Sequence, residues 1–178
     1  INVECLGAIP APDPLVVTDE ADNCGTPTVT FVSQTADPAN NDGTITRTYL
    51  VDDGNGQTIT VTQDIVINDT QDPTATNPTD INVQCLGDVP AVDPAVVTTE
   101  ADNCGTPTVT FVSQTVNPTN NDGTITRTYL VDDGNGQTIN VFQNVVINDT
   151  QDPTATNPAD INVECLGAVP APDPLVVT

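Results

Sequence analysis

The sequence predicts an all-β protein built of tandem domains, and three observations predict it. The chain repeats itself with a period of 80 residues: INVECLG opens at Ile1, INVQCLG at Ile81 and INVECLG again at Ile161. Residues 1–80 and 81–160 are identical at 66 of 80 positions, and the last 18 residues match the first 18 except that Val169 stands where Ile9 does. Within each copy Thr, Val and Ile alternate in strand-like runs, and clusters of Gly, Pro, Asn and Asp separate those runs. No segment carries a helical period. Several short strands with regular turn signals in one small unit suggest an antiparallel sandwich of immunoglobulin type.

Each strand follows from local pattern. Thr28-Val29-Thr30-Phe31 and Thr44-Ile45-Thr46 alternate polar with apolar residues. Thr58-Ile59-Thr60-Val61-Thr62 does so most clearly, and the apolar face continues through Ile65 and Ile67. Asn40-Asn41-Asp42-Gly43 and Asp53-Gly54-Asn55-Gly56 read as turns whose glycines permit positive φ.

The expected organisation is repeat 1 over residues 1–72, a Pro-containing linker over 73–80, repeat 2 over 81–152, a second linker over 153–160, and the start of a third repeat over 161–178. With no starting Met and an ending partway through a copy, the chain reads as a window of a longer array. Pro73 and Pro78 fix φ and favour an extended junction. Sandwiches joined so closely are expected to form an extended rod rising ~40 Å per repeat, from strands of ~3.3 Å per residue plus the junction.

Composition removes whole function classes. The formal net charge is −23, with two basic residues and no His. Such a surface repels nucleic acid, which needs cations against phosphate, and it repels an anionic bilayer surface. Without His there is no Ser-His or Cys-His pair and no imidazole metal ligand; without Lys there is no Schiff base and no Lys-Asn isopeptide bond. No apolar run is long enough for a spanning helix. The expectation is that the protein is not an enzyme.

An 80-residue unit with so few aromatics has a modest core and needs a staple. Cys5 and Cys24 recur as Cys85 and Cys104, and Cys165 opens a third set whose second member falls outside the chain. The 19-residue separation suits a disulfide within each repeat, Cys5 with Cys24 and Cys85 with Cys104, so that each domain matures alone. The rival scheme staples neighbours, Cys24 with Cys85 and Cys104 with Cys165. Paired cysteines place the protein outside the cytosol. Two thiolates per repeat without His fall short of a zinc site.

Ala21-Asp22-Asn23-Cys24-Gly25, then Thr46-Arg47-Thr48-Tyr49 leading to Asp52-Asp53-Gly54-Asn55, then a β-rich run to Asn68-Asp69-Thr70-Gln71-Asp72-Pro73, together resemble the hyalin-repeat (HYR-like) domain. The resemblance covers both full repeats. It departs at Tyr49, where the family has Trp, and at Gly54, where many bacterial members have Cys. It implies an immunoglobulin-like fold in a long array, and a surface adhesin in the style of those that gliding bacteria export by a type IX system.

The acidic loops are the candidate sites. In an immunoglobulin-like sandwich the loop carrying Asp102 and Asn103 and the hairpin carrying Asp132, Asp133 and Asn135 share one pole. The preceding repeat delivers Asp69 and Asp72 to that pole. The corresponding set in repeat 1 is Asp22, Asp52 and Asp53, and the corresponding end of repeat 2 carries Asp149 and Asp152. An all-oxygen set of this kind suits Ca²⁺, the one cofactor expected; the same residues also form turns without metal. Arg47 and Arg127 share a strand face with Tyr49 and Tyr129. Each either points inward to pair with a loop carboxylate, bracing the acidic pole, or lies exposed and merely relieves repulsion.

The function expected is a structural stalk or filament segment of a large extracellular adhesin, attached to the cell surface or secreted, that spaces a distal binding tip from the cell. Two alternatives are a multivalent carbohydrate- or protein-binding module and the subunit of a laterally assembled fibre or sheath. The expected partners are neighbouring repeats, other copies in a filament, and a polysaccharide or protein ligand held by other domains. Copies so alike, with no hypervariable loop and no exposed aromatic platform, favour the stalk.

Overall fold

The computed structural model describes residues 1–176, so the third-repeat start expected over 161–178 ends outside the described residues. Repeat 1 contains β1 (Asn2–Val3), β2 (Thr28–Gln34), β3 (Asp42–Asp52) and β4 (Thr58–Asn68). Repeat 2 contains β5 (Ile81–Val83), β6 (Thr108–Gln114), β7 (Asp122–Asp132) and β8 (Thr138–Asn148). Each repeat forms one four-stranded sheet, in the order β1-β4-β3-β2 and β5-β8-β7-β6. The long strands pair antiparallel, whereas β1 lies parallel to β4 and β5 to β8, so each sheet is mixed.

The alternation read in the sequence orients these strands. Ile45, Arg47, Tyr49 and Val51 of β3 and Ile65 and Ile67 of β4 are buried on one face, while Thr44, Thr60 and Thr62 point to water. On that outer face Thr46 donates to Asp64 at 2.7 Å across the β3–β4 pair. The β3–β4 hairpin closes because Gly54 adopts φ +75°, a region costly for residues with a Cβ. The Asp52 and Asp53 carboxylates accept from the N–H groups of Gly54 and Asn55, each at 2.8 Å. The register of β2 on β3 shifts between Phe31 and Ser33, and Phe31 meets Tyr49 edge-on at 5.8 Å.

The second layer is the N-terminal arm of each repeat. Pro10, Pro12 and Pro14 lack the N–H that a ladder requires, so the arm runs as extended chain with 3₁₀ turns at Leu6–Ala8 and Pro14–Val16. Val3, Leu6 and Ile9 pack on Ile45, Ile65 and Ile67, and in repeat 2 Ile81, Val83, Leu86 and Val89 pack on Ile125, Val145 and Ile147. The fold is therefore all-β and consistent with immunoglobulin-like sandwich domains, with a sheet as one layer and a proline-rich arm facing it.

Arg47 and Arg127 point inward as one of the two readings expected, but their partners are not loop carboxylates. They are 3% and 2% exposed, so neither lies on the surface, and among the described residues their hydrogen-bond partners are not carboxylates. Arg47 Nη2 donates to the Pro10 carbonyl at 2.5 Å and Nε to Gln34 Oε1 at 3.3 Å; Arg127 Nη2 donates to the Pro90 carbonyl. The arm runs without a ladder partner there, so its carbonyl needs a donor, and the inward-facing guanidinium supplies one. Arg127→Met removes that donor. Loss of a buried charge works in the opposite direction, but the Pro90 carbonyl left unpaired decides the sign. We expect a loss of about 1.5–3 kcal/mol, read as a lower melting temperature; an unchanged melt would show that the arm does not depend on this bond.

Candidate functional site

The candidate site is the junction between the repeats, and the strand directions build it. β3 and β4 run antiparallel over the full length of the sheet, 11 residues each. One pole, the head, therefore holds the 53–57 hairpin together with the loop that enters β2, since Thr28 pairs with Asp52. The opposite pole, the tail, holds the end of β4, the start of β3 and the exit of β1. At the tail Asn41 Oδ1 accepts from the Leu6 N–H at 2.7 Å, and Asp69 N–H donates to the Asn41 carbonyl at 3.0 Å.

The tail of repeat 1 meets the head of repeat 2. Asn135 Nδ2 donates to Asp69 Oδ2 at 3.0 Å, and Gln137 Nε2 to the Asp69 carbonyl at 2.8 Å. Asn41 N–H donates to Asn135 Oδ1 at 3.0 Å, its Nδ2 to the Cys104 carbonyl at 3.3 Å, and Asn103 Nδ2 to Glu4 Oε2 at 3.0 Å. Cys5 and Cys104 are joined in a disulfide with Cα atoms 5.1 Å apart.

That bridge overturns both pairings expected from spacing. Cys5 leaves β1 at the tail and Cys24 enters β2 at the head, at opposite ends of 11-residue strands ~35 Å long. A disulfide requires Cα atoms within ~7 Å, so Cys5 with Cys24 and Cys85 with Cys104 cannot close. Within one chain the same geometry separates Cys24, at the head of repeat 1, from Cys85, at the tail of repeat 2. Cys104 is bonded to Cys5 and so is not paired with Cys165. Cys24, Cys85 and Cys165 are exposed free thiols.

Among the acidic candidates, Asp69 and Asp102 come together: their carboxylates and Cys104 Sγ lie within 4.8 Å of one another. The sulfur belongs to the disulfide and is no thiolate ligand. Asp69 is 2% exposed, yet no cationic side chain is among its partners. Asp102 Oδ1, Asp133 Oδ2 and Gln137 Oε1 are buried oxygens without a hydrogen-bond partner. The remaining candidates are occupied otherwise. Asp132 accepts from Gly134 N–H at 2.8 Å within its own turn, Asn135 spends its oxygen on Asn41, and Asn103 turns to Glu4. Asp72 is exposed outside the cluster. In repeat 1, Asp22, Asp52 and Asp53 accept from turn N–H groups of Cys24, Gly54 and Asn55. Asp149 caps Gln151 at 3.0 Å, and Asp152 is exposed. Gln137, Asn41 and Glu4 were not anticipated; the only sequence signal for the first two is that Gln57 and Asn121 stand at the same places in the other copy.

Residues 1–68 match the family model described as an HYR-like domain with 4 cysteines. This stretch is similar to that family. It carries two cysteines, Cys5 and Cys24, rather than four. HYR-like domains are typical of extracellular repeat and adhesion proteins and are in general non-enzymatic. No curated protein matches the chain. Among the described residues, no helix is long and apolar enough to cross a membrane.

Non-reducing peptide mapping of the oxidised chain should recover Cys5 linked to Cys104. Recovery of Cys5 linked to Cys24 in its place would refute the junction geometry.

Proposed function

We propose that the chain is a load-bearing segment of an extracellular stalk, a spacer that carries a binding tip away from a cell surface. The observation that carries this reading is the disulfide from Cys5 in one repeat to Cys104 in the next, 99 residues apart. Tension entering at the N-terminus reaches Cys5, crosses the bridge and resumes at Cys104, so the residues between them lie in a closed loop outside the load path. That loop contains all of the β2–β4 sheet of repeat 1. A multivalent binding module has no need of such a bypass.

Pulling single chains from their ends tests the reading directly. Under oxidising conditions the loop between Cys5 and Cys104 is expected to release no length. After reduction, unfolding should add ~340 Å, from 98 residues at up to ~3.5 Å each. Equal extension in both states would remove the basis for a stalk.

We propose Ca²⁺ as the ion for the junction oxygens. What supports it is the chemistry of the donor set: two close carboxylates, one of them buried without a counter-charge, and unpaired oxygens on Asp102, Asp133 and Gln137. Hard oxygen donors in this number suit a calcium ion, and burial of carboxylates without a cation is costly. Calcium is therefore expected to raise the melting temperature of the oxidised chain, with ~2.7 kcal/mol gained at one hundred times the dissociation constant. Chelator should reverse the gain, and Asp102→Asn should abolish it. A melt indifferent to calcium and chelator would leave these groups as turn formers.

A further inference from the structure

The chain holds two tyrosines and three phenylalanines, and in the sequence so few aromatics weigh against a binding face. Burial separates one of them from the rest. Tyr49 and Tyr129 are fully buried, and Phe31 and Phe111 lean edge-on against them at 5.8 and 6.0 Å. Phe142 of β8 is 44% exposed and, among the described residues, pairs with no other ring. Val141, Gln143 and Val145 are buried on the inner side of β8, so Phe142 stands on the outer face of the repeat 2 sheet. Asn140 and Asn144 flank it on that face, each ~7 Å away along the strand. Thr128 of β7 stands directly across from the ring, and Thr126 across from Asn144.

Between the β3–β4 pair and the β7–β8 pair four strand positions differ. Ile65 becomes Val145 on the inner side. The other three are successive outward positions of one strand: Thr60, Thr62 and Asp64 become Asn140, Phe142 and Asn144. Thr46 donates to the Asp64 carboxylate at 2.7 Å, and Thr126 donates to Asn144 Oδ1 at 2.9 Å. The hydrogen bond is therefore kept while the charge is removed and an amide N–H₂ is added. A single exposed apolar side chain is ordinary. Folding does not account for this group, because the version with Thr60, Thr62 and Asp64 makes the same sheet in the same register. The contacts between repeats do not account for it either. Thr62 stays exposed although the tail of repeat 1 is docked, and Phe142 stays exposed although the head of repeat 2 is.

We infer that the outer face of repeat 2 is a binding site for a neutral polysaccharide, with the Phe142 ring as its centre. A pyranose with equatorial hydroxyls shows C–H bonds on its faces and hydroxyls around its rim. The C–H face stacks on the aromatic ring, and the rim hydroxyls reach the amides on either side, which both donate and accept. Asn144 has its oxygen engaged by Thr126 and so donates through Nδ2, whereas Asn140 is exposed. The two amides lie ~13 Å apart along the strand, more than one sugar ring, which selects a polymer over a monosaccharide. Charge selects a neutral one. A net −23 repels an acidic polymer, and a cationic one finds its carboxylates elsewhere, since Asn144 has replaced the acid of this face. The face is open and unwalled, so each contact is weak, and copies repeated along an array supply the strength. This goes beyond the spacer reading and does not depend on it: the stalk itself grips a glycan at its side.

Affinity electrophoresis of the full oxidised chain tests the site, in native gels cast with hydroxyethyl cellulose, laminarin or galactomannan as neutral probes and alginate as the acidic one. At least one neutral polymer should slow the chain relative to a polymer-free gel, and alginate should not. Phe142→Thr installs the residue that repeat 1 carries at the same place, so the sheet survives, as circular dichroism would verify. It should raise the dissociation constant about tenfold, the loss of one aromatic contact. The converse variant, Thr60→Asn with Thr62→Phe and Asp64→Asn, builds a second site on repeat 1 and should slow the chain further. Migration unaffected by all three neutral polymers would leave Phe142 as a contact for a protein or as a bystander, and would overturn the proposal. Equal slowing in alginate, or slowing that Phe142→Thr leaves unchanged, would overturn it as well.

Discussion

The apolar face of the repeat 2 sheet is closed partly by its own arm and partly by a residue of the preceding repeat, and the rest of the structure follows from that sharing. Val3, Leu6 and Ile9 cover only the tail half of the repeat 1 face. The head half buries Tyr49 and Val51 as well, while Ile59 at its edge is 64% exposed. In repeat 2 the head half is covered by Val92, Val96 and Val97 of the repeat's own arm together with Ala75, which arrives from the preceding repeat. Val97 and Val141 are buried as a result, while Val17 and Val61 in repeat 1 are only half-buried. Each fully buried aliphatic side chain contributes about 1.5–3 kcal/mol. A repeat thus gains part of its core from its neighbour, the condition under which stability becomes a sum of unit and interface contributions.

The junction polar groups do a different job from the apolar ones. They add little area, but they fix the angle at which one repeat meets the next. Asn135 alone bridges Asp69 and Asn41 through its two ends, so rotation about the junction breaks two hydrogen bonds together. The disulfide fixes the same contact at a second point, from the exit of β1 to the loop entering β6. With carboxylates on both sides of the seam, a buried Asp69 has no neighbouring cation of the chain's own. Both arginines are committed elsewhere, to the arm carbonyls of Pro10 and Pro90.

How much of this was legible in the sequence depended on whether the information was local. Strands β3 and β4 could be read residue by residue, because alternation is set by a side chain's own neighbours in the chain. The hairpin at 53–57 was legible for the same reason, its glycine and two aspartates each acting within four residues. The meeting of Asp69 with Asp102 was foreseeable once the poles of a sandwich were assigned. The disulfide was not, although Cys104 stands next to Asn103 at the same pole. Its partner depends on β1 running parallel to β4, which carries Cys5 to the far end of the sheet. Two residues, Asn2–Val3, are the whole strand and give no signal of direction. Arg47 was half legible: its inward direction follows from period two, but its partner, a proline carbonyl in an irregular arm, leaves no pattern.

The positions at which the two copies differ bear on how such an array extends. The 14 differences include residues 12, 15, 36, 37, 39 and 62, which lie on the arm, the loop between β2 and β3, and the outer face. The side chains that meet across the seam are nearly untouched. Asn41, Asp69, Asn103, Cys104, Asn135 and Gln137 all have identical counterparts one period away, and only Glu4 changes, to Gln84. Gln84 carries an amide oxygen where Glu4 receives the Asn103 amide, and the exchange removes one negative charge from an acidic seam. A repeat with these seam residues can therefore follow any other, whatever its arm or outer face carries. Drift on the outer surface then costs the array nothing, while a single change at Asn135 or Cys104 would loosen the joint between two repeats.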